Sequence, residues 1–203
     1  MSRIIIGIVD YELGNHASLL HSLKKLNYRV LVSDEPSVLD QTDLLILPGV
    51  GAFPIAMKAL KEKKLVSYLQ QQAQINRPII GICLGMQLLT EASHEGIYTK
   101  GLGLIPGETI ELVEPLSHIG WNNIDRVNSD SILEGIEGNE FYFNHSYAYE
   151  GSSSYIKFTS NHKKKIAAIV RHGSVVGLQF HPEKSQAAGR ELFKKLIIGM
   201  IDA

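Results

Sequence analysis

Residues 78–87 read Pro-Ile-Ile-Gly-Ile-Cys-Leu-Gly-Met-Gln. Ile79–Ile82 is a short apolar run of isoleucines and one glycine entered through a proline, the composition of a strand buried on both faces of a parallel sheet. Residues 84–93 read as a helix. Cys83 stands at the junction, with Gly81 and Gly85 two residues to either side. This is the cysteine form of the G-x-S-x-G nucleophile elbow, a sharp strand-to-helix turn that small neighbours permit. It exposes the central side chain at the carboxyl end of a sheet, where open α/β sheets bind ligands. Free amides and the positive end of the following helix would favour thiolate, the reactive form. The bland alternative is a small buried hydrophobe, the common fate of a free cysteine. The two glycines and the strand–helix setting count against it.

Upstream of the elbow the same alternation repeats. Residues 4–9 are a continuous apolar run, Leu19, Leu20, Leu23 and Leu26 recur at helical spacing, 29–32 is a second strand, and Leu44–Leu47 a third. The stretch 53–75, rich in Ala, Leu, Lys and Gln, reads as one or two helices. Strands alternating with helices predict an α/β fold, an open and mostly parallel sheet with helices on both faces. Downstream the rhythm changes. Short strands at 109–113, 124–127, 140–144, 155–159, 166–171 and 175–180 are separated by Gly, Ser, Asn and Lys clusters. That favours antiparallel pairs in the C-terminal half, with a tight turn at His172-Gly173-Ser174. Residues 185–201 close the chain as a helix, striped by Leu192, Leu196 and Met200, with Ser185 placed to cap it.

At 203 residues the chain fits a single domain, 1–203, able to bury a core without disulfide or metal. With 20 Lys and Arg against 21 Asp and Glu it lacks the basic surplus of a nucleic-acid binder. No apolar run reaches a membrane span, and the opening MSRIIIGIVD meets Asp10 too soon for a signal peptide. One cysteine excludes an intramolecular disulfide and a Cys-cluster zinc site, so a cytoplasmic setting is expected. The histidines other than His181 show no metal spacing; no metal and no cofactor are expected. Trp121 fits either a core or an interface, Tyr142 and Phe143 fit sheet packing, and the lysines at 163–165 fit a solvated turn.

A partner base for Cys83 is found about a hundred residues on. A strand runs into His181-Pro182-Glu183, and Pro182 biases His181 to extended geometry. In an extended segment residues two apart face the same way. Glu183 can therefore hold one ring nitrogen of His181 and leave the other for Cys83, the nucleophile–base–orienter arrangement. Pro48-Gly49-Val50-Gly51, directly after Leu44–Leu47, is a two-glycine loop able to turn N–H groups toward an oxyanion. Its Gly51 and the N–H of Leu84 are the expected donors.

GICLGMQ, PGVGAF and QFHPEKS, in this order, resemble class I (triad) glutamine amidotransferases. Asp10-Tyr11 with Gly14-Asn15, residues 101–107, His118-Ile-Gly-Trp-Asn122 and residues 142–147 look like the glutaminase subunits of imidazole glycerol phosphate synthase within that family. The likeness spans residues 4–200. It implies hydrolysis of L-glutamine to glutamate and ammonia, which passes by a buried route to a (β/α)8-barrel cyclase partner in a heterodimer serving histidine biosynthesis. It further implies Cys83 as nucleophile, His181 as base, Glu183 as its orienter, and Gly51 and Leu84 at the oxyanion hole. Gln87, Ser146 and Tyr147, with His145 beside them, match positions that hold glutamine. Asn15, Lys184 and, at the end of the two-glycine loop, Phe53 are expected at the partner face. The chain departs from the family pattern at Glu12, where Gly is more usual, at Ser117, where Pro is, and across residues 161–165. Two other readings fit the same residues: a paralogue supplying ammonia for surface-sugar amidation, and a stand-alone cysteine hydrolase.

Overall fold

The computed structural model describes residues 4–114 and 116–202. Met1, Ser2 and Arg3, part of the stretch weighed as a signal peptide, lie outside them. The N-terminal half runs β1 (Ile5–Val9), α1 (His16–Lys25), β2 (Arg29–Ser33), α2 (Pro36–Leu39), β3 (Leu44–Leu47), α3 (Phe53–Glu62), α4 (Leu65–Gln74), β4 (Ile79–Ile82) and α5 (Leu84–Leu88). The remainder runs β5 (Ala92–Ser93), β6 (Thr99–Lys100), β7 (Glu108–Glu111), β8 (His118–Arg126), β9 (Glu140–His145), β10 (Tyr147–Glu150), β11 (Ile156–His162), β12 (Lys164–His172), β13 (Val175–Leu178) and α6 (Gln186–Ile201).

Nine strands form the main sheet in the order β2-β1-β3-β4-β13-β12-β11-β8-β9. From β2 to β13 every pairing is parallel. From β13 to β9 every pairing is antiparallel. A four-stranded sheet, β10-β7-β5-β6, lies beside it. Successive strand residues enter different cores, as the period of two requires. Ile6, Ile8, Leu44, Ile46, Ile80 and Ile82 pack on the α1 and α6 side. Leu45, Leu47 and Ile79 pack on the α3, α4 and α5 side. This double burial is why those strands carry apolar runs without alternation. Among the described residues no helix is long and apolar enough to cross a membrane.

Three departures from the expected elements have physical causes. The helix expected over 84–93 ends at Leu88 because its last carbonyls are claimed from outside. The amides of Leu102, Gly103 and Leu104 donate to Leu88, Thr90 and Leu89. β8 begins at His118, six residues before the expected strand, because a polar stretch is carried by its pairing with β9 from His118↔His145 to Asn123↔Glu140. Ser185 sits at the head of α6 but does not cap it. Its hydroxyl donates to the His181 carbonyl at 2.7 Å and accepts the Tyr142 amide at 3.0 Å.

The four adjacent parallel strands β1, β3, β4 and β13 place their carboxyl ends along one edge. The chain leaves them through residues 10–15, 48–51, Cys83 and 179–184 respectively, so four distant segments of sequence meet there.

Candidate active site

Cys83 holds the strain of the elbow in its own backbone, at φ 54° and ψ −113°. The flanking glycines serve close approach instead. A Cβ on Gly85 would fall 1.8 Å from the Leu47 carbonyl oxygen, and one on Gly81 2.6 Å from that of Gly85. The helix therefore starts against the end of β3, with Cys83 at its N-terminus and the Sγ 3.7 Å from the Asn144 carbonyl oxygen. The amides of a first helical turn have no acceptor within the helix, so the Leu84 N–H stands free of intrahelical demand beside the sulfur.

Extended His181 leads into a short 3-10 helix, Pro182–Lys184, and the segment is pinned at several points. The His181 amide donates to the Tyr142 carbonyl at 2.9 Å, and a Cβ on Gly189 would fall 1.9 Å from the Pro182 carbonyl oxygen. His181 Nδ1 lies 2.8 Å from Glu183 Oε1, both side chains being about 96–97% buried. That bond leaves Nε2 for Cys83, which lines the same cleft. Burial alone would lower the imidazole pKa. The bonds to Cys83 and Glu183 outweigh it and raise the pKa to about 9.

The 48–51 loop forms the facing wall, and two tethers from the segment after β1 fix it. The Tyr11 hydroxyl, fully buried, donates to the Pro48 carbonyl at 2.6 Å, and the Val50 amide donates to the Leu13 carbonyl at 3.1 Å. Burial, followed by the nearby Cys83, holds the Tyr11 phenol well above its ordinary pKa, so it stays a donor. Gly51 has φ +101°, a region that L side chains rarely adopt. Glu12, in the same tethering segment, takes φ +73° where the resembled family more usually has glycine, and its carboxylate pairs with Lys63 at 3.1 Å.

A cleft of about 330 Å³ joins Val50, Gly51, Cys83, Leu84, Gln87, Asn144, His145, Ser146, Tyr147, His181 and Lys184. Every residue expected to catalyse, to form the oxyanion hole or to hold glutamine lies on its wall except Glu183, which stands behind His181 and reaches the cleft only through that ring. Gln87 is buried and donates to the Tyr147 carbonyl at 2.8 Å. Lys184 is exposed, its ammonium 5.6 Å over the Tyr142 ring. Asn15 caps α1, accepting the Ser18 amide. Phe53 is a correction. Its side chain is fully buried in the core on the α3 side, so it presents no surface to a partner. Pro54, at the start of α3, sets the turn that carries Phe53 inward. Trp121 is about half exposed on β8 and so belongs to the surface rather than the core.

A cluster that sequence spacing does not reveal is formed by His118, His145 and His162, brought together by the β8–β9 register and the end of β11. The only sequence signal was the four-residue spacing of His118 and Asn122, which share a strand face. The imidazoles bond to their neighbours, and among the described residues no group of three or more His, Cys, Asp or Glu is arranged to hold a metal.

Residues 7–200 match the family model for class-I glutamine amidotransferases. A Carboxydothermus hydrogenoformans protein named imidazole glycerol phosphate synthase subunit HisH is 42% identical over 192 residues, 93% of this chain and 96% of that one. The Streptococcus sanguinis protein of the same name is 41% identical over 192 residues, 93% of each chain. Vibrio vulnificus has a subunit HisH 2 that is 40% identical over 200 residues, 95% of this chain and 93% of that one. Among solved structures, that of PurLQS from Thermotoga maritima superposes with a TM-score of 0.78 at 19% identity, over 97% of this chain and 99% of that one, a likeness of fold.

Proposed function

The chain belongs to the class-I glutamine amidotransferases, and from that membership we propose that it is the glutaminase subunit of an imidazole glycerol phosphate synthase. It hydrolyses glutamine to glutamate and ammonia and supplies the ammonia for histidine biosynthesis. The companion subunit is a (β/α)8-barrel cyclase, bound as a heterodimer across the face that carries Asn15 and Lys184. There ammonia joins the sugar-phosphate intermediate, giving imidazole glycerol phosphate and an aminoimidazole carboxamide ribotide.

In this reading Gln87, Ser146 and Tyr147 seat the glutamine, and the Cys83 sulfur attacks its carboxamide carbon. The oxyanion that forms is received by the N–H groups of Leu84 and Gly51. His181 gives a proton to the departing nitrogen, so the C–N bond breaks, ammonia leaves and a glutamyl thioester remains. Water then attacks the thioester carbon, its proton going to His181. The C–S bond breaks, and glutamate is released. Glu183 fixes the ring by its Nδ1–H and stabilises the imidazolium.

The observation that carries the reading is the buried His181–Glu183 pair at 2.8 Å on a cleft whose wall also carries Cys83, Gln87 and Tyr147. A glutamine-like electrophile is expected to alkylate Cys83 alone, with glutamine protecting it. Cys83→Ala is expected to lose ammonia release entirely while keeping its melting profile. Mass spectrometry of the labelled chain and a coupled glutamate assay check both. Ammonia release retained by Cys83→Ala would overturn the assignment.

A further inference from the structure

The cluster of His118, His145 and His162 is built with one polarity. At its inner end His145 Nδ1 lies 2.8 Å from the Tyr147 carbonyl oxygen, which can only accept, so Nδ1 carries the proton. His145 Nε2 is then an acceptor, and it lies 3.1 Å from His118 Nδ1, which must donate. His118 Nε2 is left as an acceptor, and the Asn122 side-chain nitrogen approaches it at 3.3 Å. That nitrogen is identified independently, because it also donates to the Asn161 carbonyl at 2.7 Å. Both ends thus have fixed roles, and only one placement of protons on two neutral rings satisfies every bond. His118 is clamped between the Phe143 ring at 4.3 Å and the His162 ring at 4.2 Å, and His162 Nε2 is bonded to the Ser117 carbonyl at 3.0 Å.

The inner end of this chain is the active cleft. The Tyr147 carbonyl that receives His145 is the same one that receives Gln87, and Gln87, His145, Ser146 and Tyr147 all line the cleft. His118 does not line it. We propose that the Asn122–His118–His145 chain sets the Ser146–Tyr147 backbone and the Gln87 amide for glutamine, making His118 a positioning residue for substrate affinity although it touches no substrate. The proposal rests on the glutaminase reading of this cleft. Burial, with help from the neighbouring imidazoles, holds His118 down to about 3. Burial likewise holds His145 to about 4, against the Tyr147 carbonyl, so both rings keep the neutral form that the chain requires.

Two amide substitutions separate the donor from the bulk. His118→Asn places an amide nitrogen near the position of Nδ1 and keeps the donation to His145. His118→Gln carries its amide out toward Asn122 and loses that donation. His118→Phe keeps the stack between Phe143 and His162 and loses both bonds. With the full-length chain and its partner subunit, His118→Gln and His118→Phe are expected to raise the KM for glutamine roughly tenfold, the scale of one buried hydrogen bond, with kcat changed less than about threefold. His118→Asn is expected to stay within about threefold of the parent KM. The proposal is overturned if Gln and Asn give the same KM, or if His118→Gln lowers kcat while leaving KM at the parental value. Should His118→Phe not fold, the Asn–Gln pair alone decides. A parent chain that hydrolyses no glutamine with its partner present would instead sink the glutaminase reading, a different result from any of these.

Discussion

His181 shows how far two contacts can move one proton. Burial disfavours its charged form, yet the bonds to Cys83 and Glu183 raise its pKa to about 9. The ring therefore stays imidazolium from acid pH up to about 9 and becomes neutral above it. In the proposed mechanism departure of ammonia needs the charged ring, so kcat/KM for glutamine, which reports the free enzyme, is expected to fall as pH rises through about 9. Glu183→Gln removes one of the two raising partners. Its alkaline limb is expected to move toward neutral pH by on the order of one unit, at a lower plateau than the parent but above Cys83→Ala. A pH–rate series between neutrality and strong alkali reads this directly. An unmoved limb in Glu183→Gln would reduce the triad to a Cys83–His181 dyad. At this scale the sequence was informative because the spacing was local. Gly81-x-Cys83-x-Gly85 and His181-x-Glu183 each encode their geometry within five residues. Phe53 and the histidine cluster were not legible, since the inward turn at α3 and the His118↔His145 register arise only from tertiary packing.

At the scale of elements, glycines in this fold do two different jobs. Gly85 and Gly189 have ordinary backbone angles and exist for proximity, their Cβ positions falling within 2 Å of the Leu47 and Pro182 carbonyl oxygens. Gly138 has φ +77° and open space around it, so it serves only the angle. Adding a methyl at Gly85 must push α5 off the end of β3, because the obstacle is backbone. Gly85→Ala is therefore expected to cost about 3 kcal/mol or more of unfolding free energy, against roughly 1–2 kcal/mol for Gly138→Ala. Urea unfolding of the two variants gives the comparison, and equal losses would show that the elbow tolerates a wider separation from β3. The elements that were read correctly are those whose own composition decides them, such as the doubly buried β1, β3 and β4. The first half of β8 is not legible because a polar strand is made by its partner, and β10, Tyr-Ala-Tyr-Glu, because so short a run is fixed only by its pairing with β7. The end of α5 was missed because the 101–105 segment, not the helix sequence, terminates it.

The whole molecule ties the 48–51 loop, the proposed oxyanion wall, to the segment that carries the proposed partner contact Asn15. The 48–51 loop is held by Tyr11 on Pro48 and by Leu13 on Val50, and both tethers belong to the segment that ends at Asn15. Val50 is held by its amide on Leu13, so the peptide plane between Val50 and Gly51, which carries the proposed Gly51 donor, is the part of the loop left to turn. A partner acting at Asn15 and Lys184 can shift the loop only by the difference in its affinity for the two loop states. The isolated chain is expected to release ammonia slowly, and the cyclase subunit with its ligand to raise that rate at saturating glutamine. Gly51→Val probes the switch because the resting φ of +101° strains a β-branched residue by about 1–3 kcal/mol, while turning the peptide plane relieves it. The variant is expected to show a higher basal rate and a stimulation reduced at least severalfold, with glutamine KM changed less. Ammonia release is measured for parent and variant, each alone and with partner and ligand. An isolated parent already at full turnover and unchanged by the partner would show that this loop is no partner-controlled switch, and would favour a stand-alone hydrolase.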